Sequence, residues 1–213
     1  MTEFSHYSYG GKTLAYLLTR PEKADKTQPL PMIVFLHGAG ERGDDLKTLA
    51  RHGIPKYFGA DAEYLGTQVV TLSPQCEGNI SWSQLTEIVM QLILEVAKKE
   101  NVDFSRISIT GLSMGGFGTW EMLCCYPDFF SAAAPVCGGG MSWRINTQTP
   151  VRAFHGDIDP TVPAAYSYMM VDALNARGGH AELTIFHDCK HDSWTRTYEH
   201  TDVIPWLIAQ KRA

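Results

Sequence analysis

The sequence predicts an α/β fold, with a mostly parallel central sheet of about eight strands and helices on both faces. Two strand-like segments near the N-terminus are joined by Gly10-Gly11, a pair typical of β-hairpins. After them, short apolar runs alternate with segments whose apolar residues recur at helical spacing. Several of these runs are continuously apolar, as expected for parallel strands buried on both faces. Strand and helix therefore alternate around one central sheet.

Each element follows from a local pattern. The strands are predicted at residues 3–9, 13–19, 32–38, 68–74, 106–110, 131–136, 151–156 and 182–187. The helices are predicted at residues 83–99, 116–126, 164–176 and 201–211, with Ser83 as the N-cap of the first. Only about 14 residues separate strands 131–136 and 151–156, too few for a cap domain over the sheet edge. Residues 1–213 are predicted to form a single domain.

Composition excludes two classes of partner. Eighteen Lys and Arg against 23 Asp and Glu give a net charge of −5, which offers no basic stripe for a nucleic-acid backbone. The longest apolar run, residues 88–96, is broken by Gln91 and Glu95 and is far shorter than the ~20 residues that a membrane span needs. We therefore expect no nucleic-acid partner and no membrane span.

The cysteines favour a reducing compartment. There are five, an odd number, and none forms a CxxC pair. The N-terminus lacks a basic start followed by an apolar stretch, so no signal peptide is expected. These features predict a cytoplasmic protein. The only metal-like cluster, His187, Cys189 and His191, has no evident fourth ligand, and we expect neither a metal nor a cofactor.

The most informative segment follows the strand at residues 106–110. Gly111-Leu112-Ser113-Met114-Gly115 fits the G-x-S-x-G pattern and lies between a strand and a helix. In such a turn the small residues let strand and helix approach closely, and the serine hydroxyl is lifted out of the sheet. Ser113 is therefore the candidate nucleophile. The alternative is an ordinary glycine-rich turn in which Ser113 only caps the helix.

A serine nucleophile needs a base, and ligands gather at the carboxyl ends of parallel strands. His191 lies in the loop after the last strand and is the preferred base, with His187 as its rival. His37 and His155 each precede a glycine at a strand end, and we expect them to hold loops by hydrogen bonds.

The base needs a carboxylate partner that fixes its tautomer. Asp159 is preferred because it lies past the end of strand 151–156 and precedes the stiff Pro160. Asp157 is expected to brace the turn, and Asp192 would have to fold back on its neighbour His191. The order serine, aspartate, histidine along the chain is that of α/β-hydrolases.

The remaining candidates surround this group. Two backbone N–H groups are expected to form an oxyanion hole, from Met114 and from Ala39, with Gly40 as the alternative to Ala39. Three tryptophans and one methionine in loops at the same sheet edge are predicted to line the substrate pocket: Trp82, Met141, Trp143 and Trp194. Loop packing alone is the alternative for each of them.

Four segments in order resemble one known family. FLHGAGERGDD, VDFSRISITGLSMGGFGTW, HGDIDPTVP and KHDSWTRTY are similar to the small serine esterases of the α/β-hydrolase superfamily, in the phospholipase/carboxylesterase and predicted-peptidase group. The resemblance covers roughly residues 30–207. It implies ester hydrolysis through an acyl-enzyme, with Ser113 as nucleophile, Asp159 as acid and His191 as base. It also implies that Ala39 and Met114 supply the oxyanion amides, and it does not fix the substrate.

These observations predict a serine carboxylesterase that acts on short or compact small-molecule esters. The missing cap leaves little apolar surface to bury a long acyl tail. The alternatives are an acyl-protein or carrier thioesterase, a lysophospholipase and a serine peptidase. A protein that only binds a ligand would be expected to have lost part of the serine, histidine and aspartate set. The oligomeric state is not predicted.

Overall fold

The computed structural model describes residues 1–22, 27–58, 63–64 and 66–212. The stretch at residues 20–31, which contains three prolines, is predicted from the sequence to be a surface loop, and its residues 23–26 lie outside the described residues. The strands are β1 Thr2–Tyr9, β2 Lys12–Thr19, β3 Leu30–Leu36, β4 Glu63–Tyr64, β5 Thr67–Gln68, β6 Val70–Gln75, β7 Val102–Leu112, β8 Ala132–Val136, β9 Val151–Gly156 and β10 Ala181–Phe186.

Eight of these strands form one sheet in the order β1-β2-β6-β3-β7-β8-β9-β10, and β4 pairs with β5 in a separate ribbon. Strand β2 is antiparallel to both of its neighbours, β1 and β6. Every other pair in the sheet is parallel. The carboxyl ends of β3, β7, β8, β9 and β10 therefore meet at one edge.

Helices cover both faces of the sheet. They are α1 Ile54–Tyr57, α2 Thr86–Lys99, α3 Met114–Cys125, α4 Ala165–Asn175, α5 Ser193–His200 and α6 Val203–Ala209. One core cluster joins the sheet to α2, α3 and α4, and a second joins it to α1, α5 and α6. In β3, Val34 belongs to the first cluster and Phe35 to the second, because successive side chains point to opposite faces of the sheet.

The fold class predicted from the sequence is confirmed. The described residues between β8 and β9 form no helix or strand, so no cap domain stands there. The hairpin at Gly10-Gly11 is also confirmed. No helix within the described ranges is long and apolar enough to cross a lipid bilayer.

Three local predictions differ from the structure. Ser83 is not an N-cap, because a short 3-10 helix, Trp82–Gln84, precedes α2 and is capped by Ser81 in a capping box with Gln84. The strand predicted at residues 68–74 is divided, since Gln68 pairs in the separate ribbon. Helix α5 is not predicted from the sequence, because its buried residues are Ser193, Thr197 and Tyr198 and give no apolar helical spacing.

The turn into α3 gives a prediction of stability. A Cβ on Gly115 would overlap the carbonyl oxygen of Leu36, a backbone atom that cannot move aside cheaply. We expect Gly115→Ala to lower the free energy of unfolding by about 3 kcal/mol or more, measured by urea denaturation. Gly78→Ala is the control, because a Cβ there has nothing within 4 Å. Equal stability of the two variants would contradict this account of the turn.

Candidate active site

Ser113 lies between β7 and α3 in a strained backbone conformation. Its φ of 53° and ψ of −116° are rarely adopted by a residue other than glycine. The Ser113 N–H donates to the carbonyl of Val136 at 2.9 Å, which ties the turn to the end of β8. A Cβ on Gly116 would overlap that same Val136 oxygen, so the close approach requires glycine there.

Ser113 is the first member of a chain of hydrogen bonds. The Ser113 Oγ lies 2.9 Å from His191 Nε2, and His191 Nδ1 lies 2.7 Å from Asp159 Oδ2. Because an ionised carboxylate only accepts, Nδ1 carries the proton and Nε2 is left to accept from the serine hydroxyl. The structure thus brings together the three side chains predicted as nucleophile, base and acid.

Asp159 is held by the loop after β9. Its side chain has no exposed surface, and its Oδ1 accepts from the backbone N–H groups of Thr161 and Val162 at 2.8 and 2.9 Å. Burial acts to raise the pKa of Asp159. The hydrogen bonds from His191, Val162 and Thr161 outweigh burial and hold the pKa below that of a free aspartate. The carboxylate is therefore ionised when it orients His191.

A second histidine packs against the same carboxylate. His155 Nε2 lies 2.8 Å from the Val162 carbonyl oxygen and 3.4 Å from Asp159 Oδ2, and Nδ1 lies 2.7 Å from Ser167 Oγ. Both neighbours of Nε2 are acceptors, so Nε2 carries the proton. Burial lowers the pKa of His155, which keeps the ring neutral. The expectation that His155 holds a loop by hydrogen bonds is confirmed.

The rival pair, Asp157 and His187, lies beside the first. His187 Nδ1 is 3.0 Å from Asp157 Oδ2, but the His187 side chain is 92% exposed. Asp157 Oδ1 also accepts from the N–H of Cys189 at 3.3 Å, which ties the loop carrying His191 to the end of β9. Asp157 thus braces the turn, as expected.

The loop after β3 is fixed by a buried imidazole. His37 Nδ1 donates to the Gly38 carbonyl at 2.6 Å, and Nε2 accepts from the N–H of Cys76 at 2.9 Å. Burial lowers the pKa of His37 to about 4, so the ring is neutral at pH 7. The Trp82 indole N–H donates to the His37 carbonyl at 3.0 Å. The expectation that His37 holds this loop is confirmed.

The two residues predicted for the oxyanion hole each begin a helix. Met114 is the first residue of α3, and Ala39 is the first of the 3-10 helix Ala39–Glu41. The N–H groups in the first turn of a helix have no partner within it. Gly38 passes close to the residue before Ser113, since a Cβ on Gly38 would lie 2.7 Å from Leu112 Cδ1. The loop that carries Ala39 thus packs against the turn that carries Ser113.

The three predicted tryptophans occupy different environments. Trp82 is only 2% exposed and lines a cavity beside Met114. Trp194 is half-buried, and its ring meets the His191 ring edge-on at a centroid distance of 5.3 Å. Trp143 is 72% exposed and lies outside the lining of that cavity.

The cavity has a volume of about 550 Å³. Its walls are α3, the 3-10 helix at Trp82 and the loop after β8, and its lining is Ser81, Trp82, Ser83, Met114, Phe117, Gly118, Glu121, Gly139, Gly140 and Met141. Reasoning from the sequence missed Phe117 and Glu121. Both residues could have been found from their spacing in the sequence. They lie three and seven positions after Met114, so they share one face of α3 with it.

Of the described side chains, one group could in principle hold a metal ion. Candidate ligand atoms of Cys137, Asp159 and His191 lie within 4.8 Å of one another. Burial raises the pKa of the Cys137 thiol to about 12, which disfavours the thiolate that a metal would need. Asp159 and His191 are already hydrogen-bonded to each other, so the donor chemistry suits proton transfer better than metal binding.

The mostly parallel eight-stranded sheet and the strained serine turn at its carboxyl edge define an α/β-hydrolase fold. The family model for Phospholipase/Carboxylesterase matches residues 68–202. The chain therefore belongs to this family, an esterase group of the α/β-hydrolases.

Individual relatives agree with this assignment. Poly(3-hydroxyalkanoate) depolymerase C of Paucimonas lemoignei is 32% identical over 157 residues, which cover 71% of this chain and 36% of the depolymerase. The chain thus spans about a third of that relative. The crystal structure of a thermostable esterase has a TM-score of 0.85 and 31% identity, and the match covers 99% of this chain and 63% of that one.

A feruloyl esterase module from Clostridium thermocellum, complexed with sinapinate, shares the fold alone. Its TM-score is 0.78 at 15% identity, and the match covers 99% of this chain and 88% of the module.

The lowered pKa of Asp159 predicts how stability depends on pH. Ionisation favours the folded state above the unfolded-chain pKa of about 3.9, and this contribution is lost as the pH falls through the lower folded-state pKa. The Asp159→Asn variant lacks this contribution to stability, because an asparagine side chain does not ionise. The gap in unfolding free energy between the wild type and Asp159→Asn should therefore be full above about pH 5 and close towards about pH 2.

Urea denaturation at a series of pH values measures this gap. Asp44→Asn, at an exposed position, controls for the loss of one negative charge. A gap that stays constant or widens in acid would show that the folded state does not favour the ionised Asp159.

Proposed function

We propose that the chain is a serine carboxylesterase that hydrolyses short or compact carboxylic esters. The observation that carries the proposal is the relay from Ser113 Oγ to His191 Nε2 at 2.9 Å and from His191 Nδ1 to Asp159 Oδ2 at 2.7 Å. A serine on a strained turn, a neutral imidazole and an ionised buried carboxylate are the groups that acyl transfer to serine requires.

In the proposed first half-reaction, Ser113 Oγ attacks the ester carbonyl carbon while its proton moves to His191 Nε2. The carbonyl oxygen becomes an oxyanion, which the N–H groups of Met114 and Ala39 would stabilise. The intermediate then expels the alkoxide, which takes the proton from Nε2 and leaves as the alcohol. The product is an acyl-enzyme on Ser113.

The second half-reaction repeats these steps with water. His191 takes a proton from the water, which attacks the acyl carbon, and the second oxyanion collapses to release the carboxylic acid. The proton returns from Nε2 to Ser113 Oγ, so both groups end as they began. Asp159 keeps its negative charge throughout and stabilises the imidazolium that forms twice in each cycle.

Substrate size follows from the open site. Without a cap, the surface that can bury an acyl or alcohol group is the cavity of about 550 Å³ beside Met114. Each buried methylene adds ~0.8 kcal/mol only while apolar surface remains to cover it. The ester class also agrees with the depolymerase and feruloyl esterase names of the similar proteins.

Two further expectations join the proposal. The sheet is continuous from β1 to β10, which supports residues 1–213 as a single domain. All five cysteines are free thiols, which supports a reducing compartment such as the cytoplasm.

Ser113→Ala tests the mechanism. The variant should fold as the wild type does and lose ester turnover down to the ~10³–10⁴-fold acceleration over water that a site without its nucleophile retains. Hydrolysis of p-nitrophenyl esters measures this loss. An organophosphonate should add mass at Ser113 in the wild type and not in the variant. A variant of near-native rate would refute the acyl-enzyme.

The two His–Asp pairs provide a matched test of the base. His191→Ala should remove most of the activity, because the nitrogen that accepts the Ser113 proton is lost. His187→Ala should leave the rate unchanged, since its ring is solvent-exposed and paired with Asp157. Turnover of the same ester measures both. Loss of activity in His187→Ala, or inactivation of the wild type by EDTA, would overturn the assignment.

A further inference from the structure

The cavity that Met114 lines, next in the chain to Ser113, is a trough that runs along helix α3. Four of its lining residues, Met114, Phe117, Gly118 and Glu121, follow the spacing i, i+3, i+4 and i+7, so they share one face of the helix. At 1.5 Å per residue, the eight positions from Ser113 to Glu121 span about 12 Å. The trough therefore begins at Met114, the residue that follows the proposed nucleophile, and reaches the Glu121 carboxylate at its far end.

The middle of the trough is flat and apolar. Gly118 has no side chain, and a Cβ there would lie 2.6 Å from Trp82 Cβ, so the tryptophan packs directly on the helix. The Phe117 ring is held edge-on by Tyr166 at a centroid distance of 5.7 Å. Met141 also lines the trough. The aromatic and thioether side chains that line this part of the trough suit a planar ring.

The far end of the trough is polar and anchored. Arg144 Nη1 lies 2.6 Å from Glu121 Oε1 and 2.9 Å from Oε2, which fixes the carboxylate. The Cys125 thiol also donates to Glu121 Oε1, at 3.4 Å. A carboxylate has about four acceptor sites, so these three contacts leave Glu121 Oε2 able to accept from a ligand. Because Arg144 balances its charge, Glu121 presents an acceptor without a net negative charge that would demand a cation.

We propose that Glu121 is a specificity-determining residue that selects esters carrying a hydroxylated aromatic ring in one half of the molecule. The ring occupies the trough between Trp82 and Phe117, and its hydroxyl donates to the Glu121 carboxylate. This inference rests on the proposed function, because the length of the trough is measured from Ser113 as the reacting group.

The preference arises because the Glu121 carboxylate gains a hydrogen bond from a donor and loses its bound water without compensation to an apolar group. A phenol at the end of the trough exchanges its hydrogen bond to water for one to a carboxylate. A methyl group of similar size strips water from Glu121 and gives no hydrogen bond in return. Sites built to bind a hydroxyl reject the analogue that lacks it far more strongly than apolar pockets discriminate by size.

The test compares methyl para-hydroxyphenylpropanoate with its para-methyl counterpart, and para-hydroxyphenethyl acetate with its para-methyl counterpart. Within each pair the ratio of kcat/KM values is measured on one protein sample, so partial unfolding cancels. The wild type should favour the hydroxyl in at least one pair. Glu121→Leu should reduce that ratio by about tenfold or more, the size expected for a hydrogen bond to a charged group.

Three variants separate recognition from a structural role. Glu121→Gln keeps a carbonyl oxygen and should retain part of the preference. Arg144→Met removes the ion pair but keeps the acceptor, so the ratio should persist even if all rates fall. Glu95→Gln, on the exposed face of α2, should match the wild type. A ratio that is the same in the wild type and Glu121→Leu, or one that disappears equally in Arg144→Met, would overturn the proposal.

Binding to a protein without its nucleophile distinguishes this failure from failure of the proposed function. Ser113→Ala should bind the hydroxylated ester more tightly than the methyl ester in calorimetric titration, and adding Glu121→Leu should remove the difference. If the wild type hydrolyses none of the esters but this binding preference holds, the esterase proposal fails and the recognition by Glu121 stands. If esters are hydrolysed through Ser113 and substitution of Glu121 has no effect on the preference, the esterase proposal stands and recognition by Glu121 fails.

Discussion

The close approach of helix α3 to the ends of β3 and β8 is the constraint on which the rest of the site depends. A Cβ on Gly115 or Gly116 would overlap backbone atoms of those strands, so the contact exists only because both residues are glycine. The approach forces Ser113 to a positive φ and leaves its hydroxyl at the sheet edge. It also places the first N–H groups of α3 beside that hydroxyl and sets the axis of the neighbouring trough.

The imidazole of His191 is positioned from two directions. Asp159 holds the ring itself, and Asp157 holds the backbone of its loop through the Cys189 N–H. Because burial keeps His155 neutral, the positive charge that Asp159 can stabilise during the proposed reaction is that of His191. A neutral second imidazole thus contributes hydrogen bonding to the loop after β9 without competing for the carboxylate's charge.

The residues of the relay could be predicted from the sequence because each lies in the turn or loop that follows a strand, and the carboxyl ends of these parallel strands meet at one edge of the sheet. The orientations of loop side chains could not. Trp82 and Trp143 look alike in the sequence, yet one is buried against Gly118 and the other is 72% exposed. Phe117 and Glu121 were missed because α3 is apolar on most of its surface, so its spacing alone did not show which face borders a cavity.

In the proposed function, substrate recognition and reaction share one rigid element, helix α3. Ser113 and Glu121 lie at the start of α3 and two turns into it, so the distance between them is set by the rise of the helix and not by movable loops. The helix is fixed in turn by its glycine contacts with β3 and β8. A ligand that reaches Glu121 must therefore have the right length to place its carbonyl carbon at Ser113. An acceptor on a mobile loop would tolerate several ligand lengths. An acceptor on the helix that follows the proposed nucleophile would instead couple the identity of the ring substituent to the geometry of attack.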